Sequence, residues 1–227
     1  LEFMQIEASL NAVAEIADNS IIGERRRLAI GIATTIAPVT TADFWRYVLT
    51  QLPVVELQFF PLLPGEAATE VLSGRYDMCL LTNPPKPNVK LTTLPIYRES
   101  LRLAMASEHP LARKTEITPV EMSAEPYLDR LHCEFRSTLI KHFMDRNIVM
   151  RPRFHSERED WVQQMVAIGA GICALPDRSI IVDGIVLRPV KGLDLSREVS
   201  LVAVSGSGNP REVRKILSMA RQFDWSL

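Results

Sequence analysis

Residues 161–176, WVQQMVAIGAGICALP, constrain the fold more than any other stretch, because they read as an amphipathic helix, a glycine-loosened turn and a short apolar strand in immediate succession. Trp161, Met165 and Ile168, with Val162 and Val166 beside them, recur at three- and four-residue spacing and predict one apolar helical face. Gly169 and Gly171 are expected to end that helix, since glycine takes the left-handed conformation that a helix C-terminus needs. Ile172 to Leu175 then turn back against a sheet as a strand that Pro176 closes.

The same alternation runs through the rest of the chain. A strand over 28–33 is followed by Thr34, Thr35 and a helix over 38–52, then a strand over 54–60 and a helix over 64–73 that stops at Gly74. Gly74, Arg75, Tyr76 and Asp77 lead into a strand over 78–81. After LPIYRESLRLAMASEHPLA, residues 94–112, come a short helix over 118–123, a strand over 127–131 and a helix over 135–146. Strands alternating with helices argue for an α/β fold with mostly parallel sheets, and 227 residues at 47% hydrophobic content suffice for a substantial core.

Charge excludes several partners. The 26 Lys and Arg against 27 Asp and Glu give no global field toward nucleic acid or an anionic membrane, and Arg25, Arg26 and Arg27 read as a solvated run at the entry of the first strand. The longest apolar runs break within about ten residues, short of the roughly 20 that a spanning helix needs. No basic-then-apolar signal opens the chain, so a cytoplasmic location is expected. Three cysteines without Cys-x-x-Cys spacing argue against a disulfide framework or structural zinc. Without a Gly-x-Ser-x-Gly elbow, a Walker loop or His-Glu-x-x-His, the chain is expected not to be an enzyme and to need no cofactor.

Four features in order resemble the effector-binding domain of LysR-type transcriptional regulators: the strand and helix over 28–52, Gly74 to Asp77, His109 to Ala112, and Val166, Gly169, Gly171, Ile172, Leu175 and Pro176. The resemblance runs from about residue 24 to the end. It implies a two-lobed, type 2 periplasmic-binding-protein-like fold in which each lobe is a mostly parallel sheet flanked by helices. Crossing segments near Tyr97 to Leu101 and Leu193 to Val199 would join the lobes. Residues 1–23, with Met4, Ile6, Leu10, Val13, Ile16 and Ala17 at helical spacing, would end a linker helix; 24–97 and 199–227 would form lobe one, and 98–198 lobe two. A small, anionic effector would sit in the interlobe cleft, and the domain would pair as a homodimer or homotetramer. Promoter DNA would be read by a winged helix-turn-helix about ninety residues long preceding this segment. A solute-binding protein of a transporter shares the architecture and is the rival reading.

Residues at the implied cleft are the site candidates. Thr34 and Thr35 lie between the first strand and helix, where a threonine either contacts ligand or caps the helix. Thr82 and Asn83 occupy a similar mouth or form a turn with Pro84 and Pro85, and Ser100 lies in the first crossing segment. His155, Ser156, Glu157 and Arg158 lead into the signature helix. In RLHCEFR, Cys133 is expected at or just before a helix N-terminus, where His132 and Arg136 would lower the thiol below its usual value of about 8.5. That position resembles the reactive cysteine of peroxide-sensing members of the family, and Thr35 matches a pocket threonine there. His142 stands where a resolving cysteine would be expected, and Pro64 replaces a second threonine. Cys133 therefore either reacts with oxidant without a resolving partner or lines a pocket for an organic effector. Cys79 and Cys173, in apolar runs, read as inert core.

Overall fold

The computed structural model describes residues 26–63, 67–84, 90–206 and 209–226. The expected linker helix, Arg25, the start of the helix at Pro64, and Pro85 lie outside these residues. The chain forms two units, one from the described parts of 1–97 and 198–227, the other from 98–197.

In the first unit β1 (Arg26–Ala33) lies between β2 (Val55–Leu62) and β3 (Met78–Thr82), parallel to both. The long β4 (Leu91–Ala106) begins in this unit, and β9 (Ser196–Val204) ends in it, pairing antiparallel with β3. Successive strand residues face opposite sides, so a strand covered on both faces reads as one apolar run. The run in β3 shows the consequence. Met78 and Leu80 join Leu28, Ile30 and Leu201 beneath α1 (Ala42–Gln51) and α6 (Arg211–Gln222), whereas Cys79 and Leu81 join Leu62, Val71 and Val202 on the side of α2 (Ala67–Leu72). Before α1 the chain makes a 3₁₀ turn, Pro38–Thr40, whose N-cap is Ala37, and α1 itself starts after Thr41. Neither Thr34 nor Thr35 caps a helix: helical structure begins at Pro38, where the sequence places it, but as a 3₁₀ turn with Ala37 at its N-cap, and the α-helix follows only after Thr41.

In the second unit β4 pairs antiparallel with β7 (Cys173–Pro176) and β8 (Ile185–Arg188), an arrangement that needs no crossover helix. A separate parallel pair is formed by β5 (Tyr127–Arg130) and β6 (Pro152–Ser156), and Tyr127 bridges Ile172. The strand β6 falls where the sequence reads only as a lead into the next helix. A 3₁₀ helix, Pro110–Arg113, and three α-helices complete the unit: α3 (Pro119–Ala124), α4 (Arg136–Met144) and α5 (Glu159–Ala167). Thr118 and Glu121 close α3 with a reciprocal capping box.

The signature helix α5 is turned from the expected orientation. Val162, Gln163 and Val166 are buried, while Trp161 is 53% and Ile168 72% exposed. Gln163 can face inward because its amide satisfies loop backbone, donating to the Ser179 carbonyl at 2.8 Å and accepting from the Ile181 N–H at 2.8 Å. Gly169 ends the helix with φ +77°. Gly171 has a different reason for being glycine. A Cβ there would lie 2.4 Å from the Pro126 carbonyl oxygen, so backbone proximity, not a left-handed turn, excludes a side chain. Gly171→Ala is expected to cost about 1–3 kcal/mol by overpacking against backbone. Gly169→Ala, with open space around its Cβ, should cost only the left-handed strain of roughly 1–2 kcal/mol and shift no neighbouring strand. Urea unfolding, with amide exchange of Leu128 and Ile172 as the local readout, checks the contrast.

Candidate functional site

The parallel register of β5 and β6 sets Asp129 opposite His155 and Arg130 opposite Ser156. From the end of β5 the chain makes two successive turns, with the Cys133 N–H donating to the Arg130 carbonyl and the Arg136 N–H to the Cys133 carbonyl, before α4 begins at Arg136. This short distance brings most of RLHCEFR onto charged partners. Asp129 is buried and accepts from Arg136 Nε at 3.0 Å and Nη2 at 2.8 Å, and His155 Nδ1 lies 3.2 Å from the same carboxylate. His132 Nε2 stands 3.7 Å from the exposed Glu157, while its Nδ1 is buried without a protein partner among the described residues. Ser156 makes a local turn, its hydroxyl accepting from the Arg158 N–H at 3.0 Å.

Two fully buried arginines organise the surroundings. Arg130 donates from Nε to Glu159 at 2.7 Å, and from Nη1 to the Ala174 carbonyl at 2.9 Å and Cys133 Sγ at 3.4 Å. It thereby ties the first turn of α5 and strand β7 to the cysteine turn. Burial works against its charge, yet Glu159 more than offsets that and holds the guanidinium firmly protonated. Arg197 lies between Glu99, at 2.6 Å, and Glu134, at 2.5 Å. One guanidinium balances one carboxylate. Burial accordingly pushes Glu99 above its ordinary value of 4.5 despite Arg197, whereas Glu134, though burial also opposes its charge, is held lower by the same arginine.

Cys133 overturns the expected activation. It is 8% exposed, and burial raises its thiol, with Arg130 opposing only in part. The helix starts three residues later, Arg136 is committed to Asp129, and His132 points to Glu157, so none of the anticipated positive groups is devoted to the sulfur. Cys79 and Cys173 are completely buried, the former pushed up to about 12 by burial.

The other candidates fall into two kinds. Thr34 gives its N–H to the Leu62 carbonyl at 3.2 Å, but its buried hydroxyl has no partner among the described residues; Thr35 beside it is buried and engaged. Asn83, at φ +47°, exchanges bonds with Glu198 and serves the turn, following the partly buried Thr82. The Ser100 backbone exchanges hydrogen bonds with Asp177. Sequence reasoning did not single out Asp129, Arg130, Glu134, Glu159, Glu99 or Arg197. The available signal was charge inside apolar runs such as YLDRL and SREVSLVAV, since a charge buried among apolar neighbours demands a partner. Among the described residues no cluster of three His, Cys, Asp or Glu side chains is placed to hold a metal, and no described helix is long and apolar enough to cross a membrane.

Removing Arg197 strands the buried Glu99 and the partly buried Glu134, so Arg197→Met should destabilise the protein by about 3–5 kcal/mol near neutral pH. Because the folded state holds the Glu99 proton more tightly than the unfolded chain, the Glu99 contribution weakens as pH rises from 4.5 through its raised value; the Glu134 contribution is lost as pH falls through its lowered one. Without the arginine both carboxyls move upward, and the variant should recover part of the loss in mildly acidic buffer. Urea unfolding at the two pH values measures it.

The model of the LysR substrate binding domain matches residues 22–224. The hydrogen peroxide-inducible genes activator of Haemophilus influenzae is 22% identical over 186 residues, 79% of this chain and 61% of that protein. The HTH-type transcriptional regulator MetR of Escherichia coli is 30% identical over 124 residues, 55% of this chain and 39% of that protein. The chain thus spans less than two thirds of either relative. Among solved structures, the regulatory domain of Synechocystis CcmR in complex with 2-PG superimposes with a TM-score of 0.75 at 17% identity, covering 87% of this chain and 97% of that one. The α/β architecture is that of LysR regulatory domains, which have the type 2 periplasmic-binding-protein-like fold, and the chain belongs to the LysR substrate-binding-domain family.

Proposed function

We propose that the chain is the sensory part of a bacterial, cytoplasmic transcription regulator that binds a small effector and passes the bound state to helix-turn-helix domains outside this segment. The match over residues 22–224 and the regulators among its relatives support the reading. The observation that carries effector binding is that the buried polar atoms without a protein partner among the described residues include Thr34 Oγ1 in the first unit and His132 Nδ1 in the second. Both belong to positions the sequence marks for ligand contact. A buried group left unpaired costs about 1–3 kcal/mol, so a ligand able to satisfy it binds preferentially to the state that presents it.

The domain acts as a homodimer or homotetramer in this reading. Support comes from large apolar side chains left exposed in each unit, Leu49, Val54 and Phe59 in one and Trp161 and Ile168 in the other. Such surfaces mark protein contacts when they are contiguous.

A thiol-based oxidant sensor is the second reading, favoured by the peroxide-responsive relative and by Cys133 being the most exposed of the three cysteines. Its raised thiol stands against rapid oxidation. Thermal melting separates the two. Aliphatic and aromatic carboxylates are expected to raise Tm equally in wild type and Cys133→Ser, with peroxide and hypochlorite producing no cysteine-dependent change. An oxidant response abolished by Cys133→Ser, with no carboxylate response, would place the second reading first.

A further inference from the structure

The exposed face of α6 is strongly basic. Val213, Ile216, Leu217 and Ala220 are buried, which sets Arg211, Arg214, Lys215 and Arg221 together on the solvent side over about 15 Å of helix. Arg214 gives Nη1 to the Asn209 carbonyl, and among the described residues none of the four cations is held in an ion pair. Only Glu212 opposes them within the helix, and the rest of the same unit carries more acid than base. Strand order fixes which end of the unit this face adjoins. β1 and β3 run parallel with Ile30 opposite Met78, and β9 runs antiparallel with Val202 opposite Cys79, so β9 ends where β1 begins. Asn209 is tied back to the Val204 carbonyl, and α6 starts two residues later, at that end. The chain preceding Arg26 therefore enters beside the start of the basic face.

Residues 1–23, which lie outside the described residues, contain no Lys or Arg. Read as the helix that their apolar spacing predicts, they set Glu7, Glu15 and Asp18 within an arc of about 80° and a length of about 16 Å, on a different side from Ile6, Leu10, Val13 and Ala17. The two charged stripes match in length and oppose in sign. We propose that the acidic stripe of residues 1–23 docks on the basic face of α6 in the same chain, latching the segment that leads into β1 onto the first unit. The chain from Asp18 to Arg26 can extend roughly 26 Å, enough to turn back onto α6. Exposed ion pairs contribute little singly and are screened by salt, but the covalent link holds the two stripes at roughly millimolar effective concentration, so several weak pairs suffice. The apolar stripe stays free for a second copy. That the latch connects the sensor to DNA-reading domains rests on the proposed function; the contact itself does not.

Carbodiimide crosslinking reads the contact, because it joins a carboxylate to a lysine amine only where the two touch, and Lys215 is the one lysine of α6. The whole chain, as an equal mixture of ¹⁴N and ¹⁵N protein, is treated in low salt and mapped by mass spectrometry. Crosslinks from Lys215 to Glu15 or Asp18 within one isotope are expected, and their yield should fall about fivefold in roughly 0.5 M salt as the Debye length shrinks. Arg211→Glu with Arg221→Glu leaves Lys215 and the carboxylates in place, alters exposed positions only, and should cut the yield about tenfold. Adding Lys215→Glu together with Glu7→Lys, Glu15→Lys and Asp18→Lys exchanges the charges and should restore crosslinking between positions 15 or 18 and 215. Absence of any Lys215 crosslink to residues 1–23 in low salt would overturn the proposal, as would crosslinks found only between isotopes or a yield unmoved by salt and by the arginine reversals. Protection of Lys215 by duplex DNA, with no crosslink to residues 1–23, would also overturn it and give the face to nucleic acid.

Discussion

A guanidinium with no access to water holds the second unit's site in place. Arg130 joins three segments far apart in sequence: its own strand β5, the first turn of α5 through Glu159, and β7 through the Ala174 carbonyl. An isolated charge so deeply buried would be very costly, and the arrangement is tolerable because a carboxylate and a carbonyl meet it at hydrogen-bond distance. Glu159 is well suited to the task. It opens α5, where the positive end of the helix dipole also favours its charge. The signature helix is thus anchored by a buried ion pair at its start and by a glycine at its end, and its apolar packing through Val162 and Val166 lies between the two.

The same geometry explains why Cys133 behaves unlike its sequence neighbourhood. A helix terminus contributes about 0.3–1 kcal/mol to an adjacent charge and acts only within the first turn. Burial can shift a titrating group by up to 3–5 pKa units, which is several times larger. Cys133 sits ahead of the helix start and inside an apolar cluster with Tyr127, Leu139 and Phe143, so burial wins. The two basic residues beside it in sequence are directed elsewhere, Arg136 to Asp129 and His132 toward Glu157. Proximity along the chain therefore misleads where a turn reverses direction, because adjacent side chains leave it toward different partners.

What could be read in advance follows the same logic. Strands buried on both faces announce themselves as apolar runs, and MCLL at β3 is placed correctly from sequence. A helix face is harder. Of the apolar face read at helical spacing, Val162 and Val166 are buried and Met165 packs against their cluster, but Trp161 and Ile168 are exposed, and Gln163 is buried instead, its amide serving a loop that no local pattern reveals. Gly171 was legible as a required glycine but not for its reason, since Pro126 lies 45 positions earlier and approaches only through the fold. The charged network was least legible of all. Arg197 and Glu99 meet across 98 residues, and spacing says nothing about partners brought together by strand pairing.

Arg130 and Glu159 are coupled through a buried contact that fixes the cysteine turn and the signature helix together. A double-mutant cycle with Arg130→Met and Glu159→Gln, read by urea unfolding, measures that coupling directly. A coupling of about 1.5–3 kcal/mol is predicted for a desolvated pair in one network. A coupling below about 0.5 kcal/mol, as for independent positions, would contradict it.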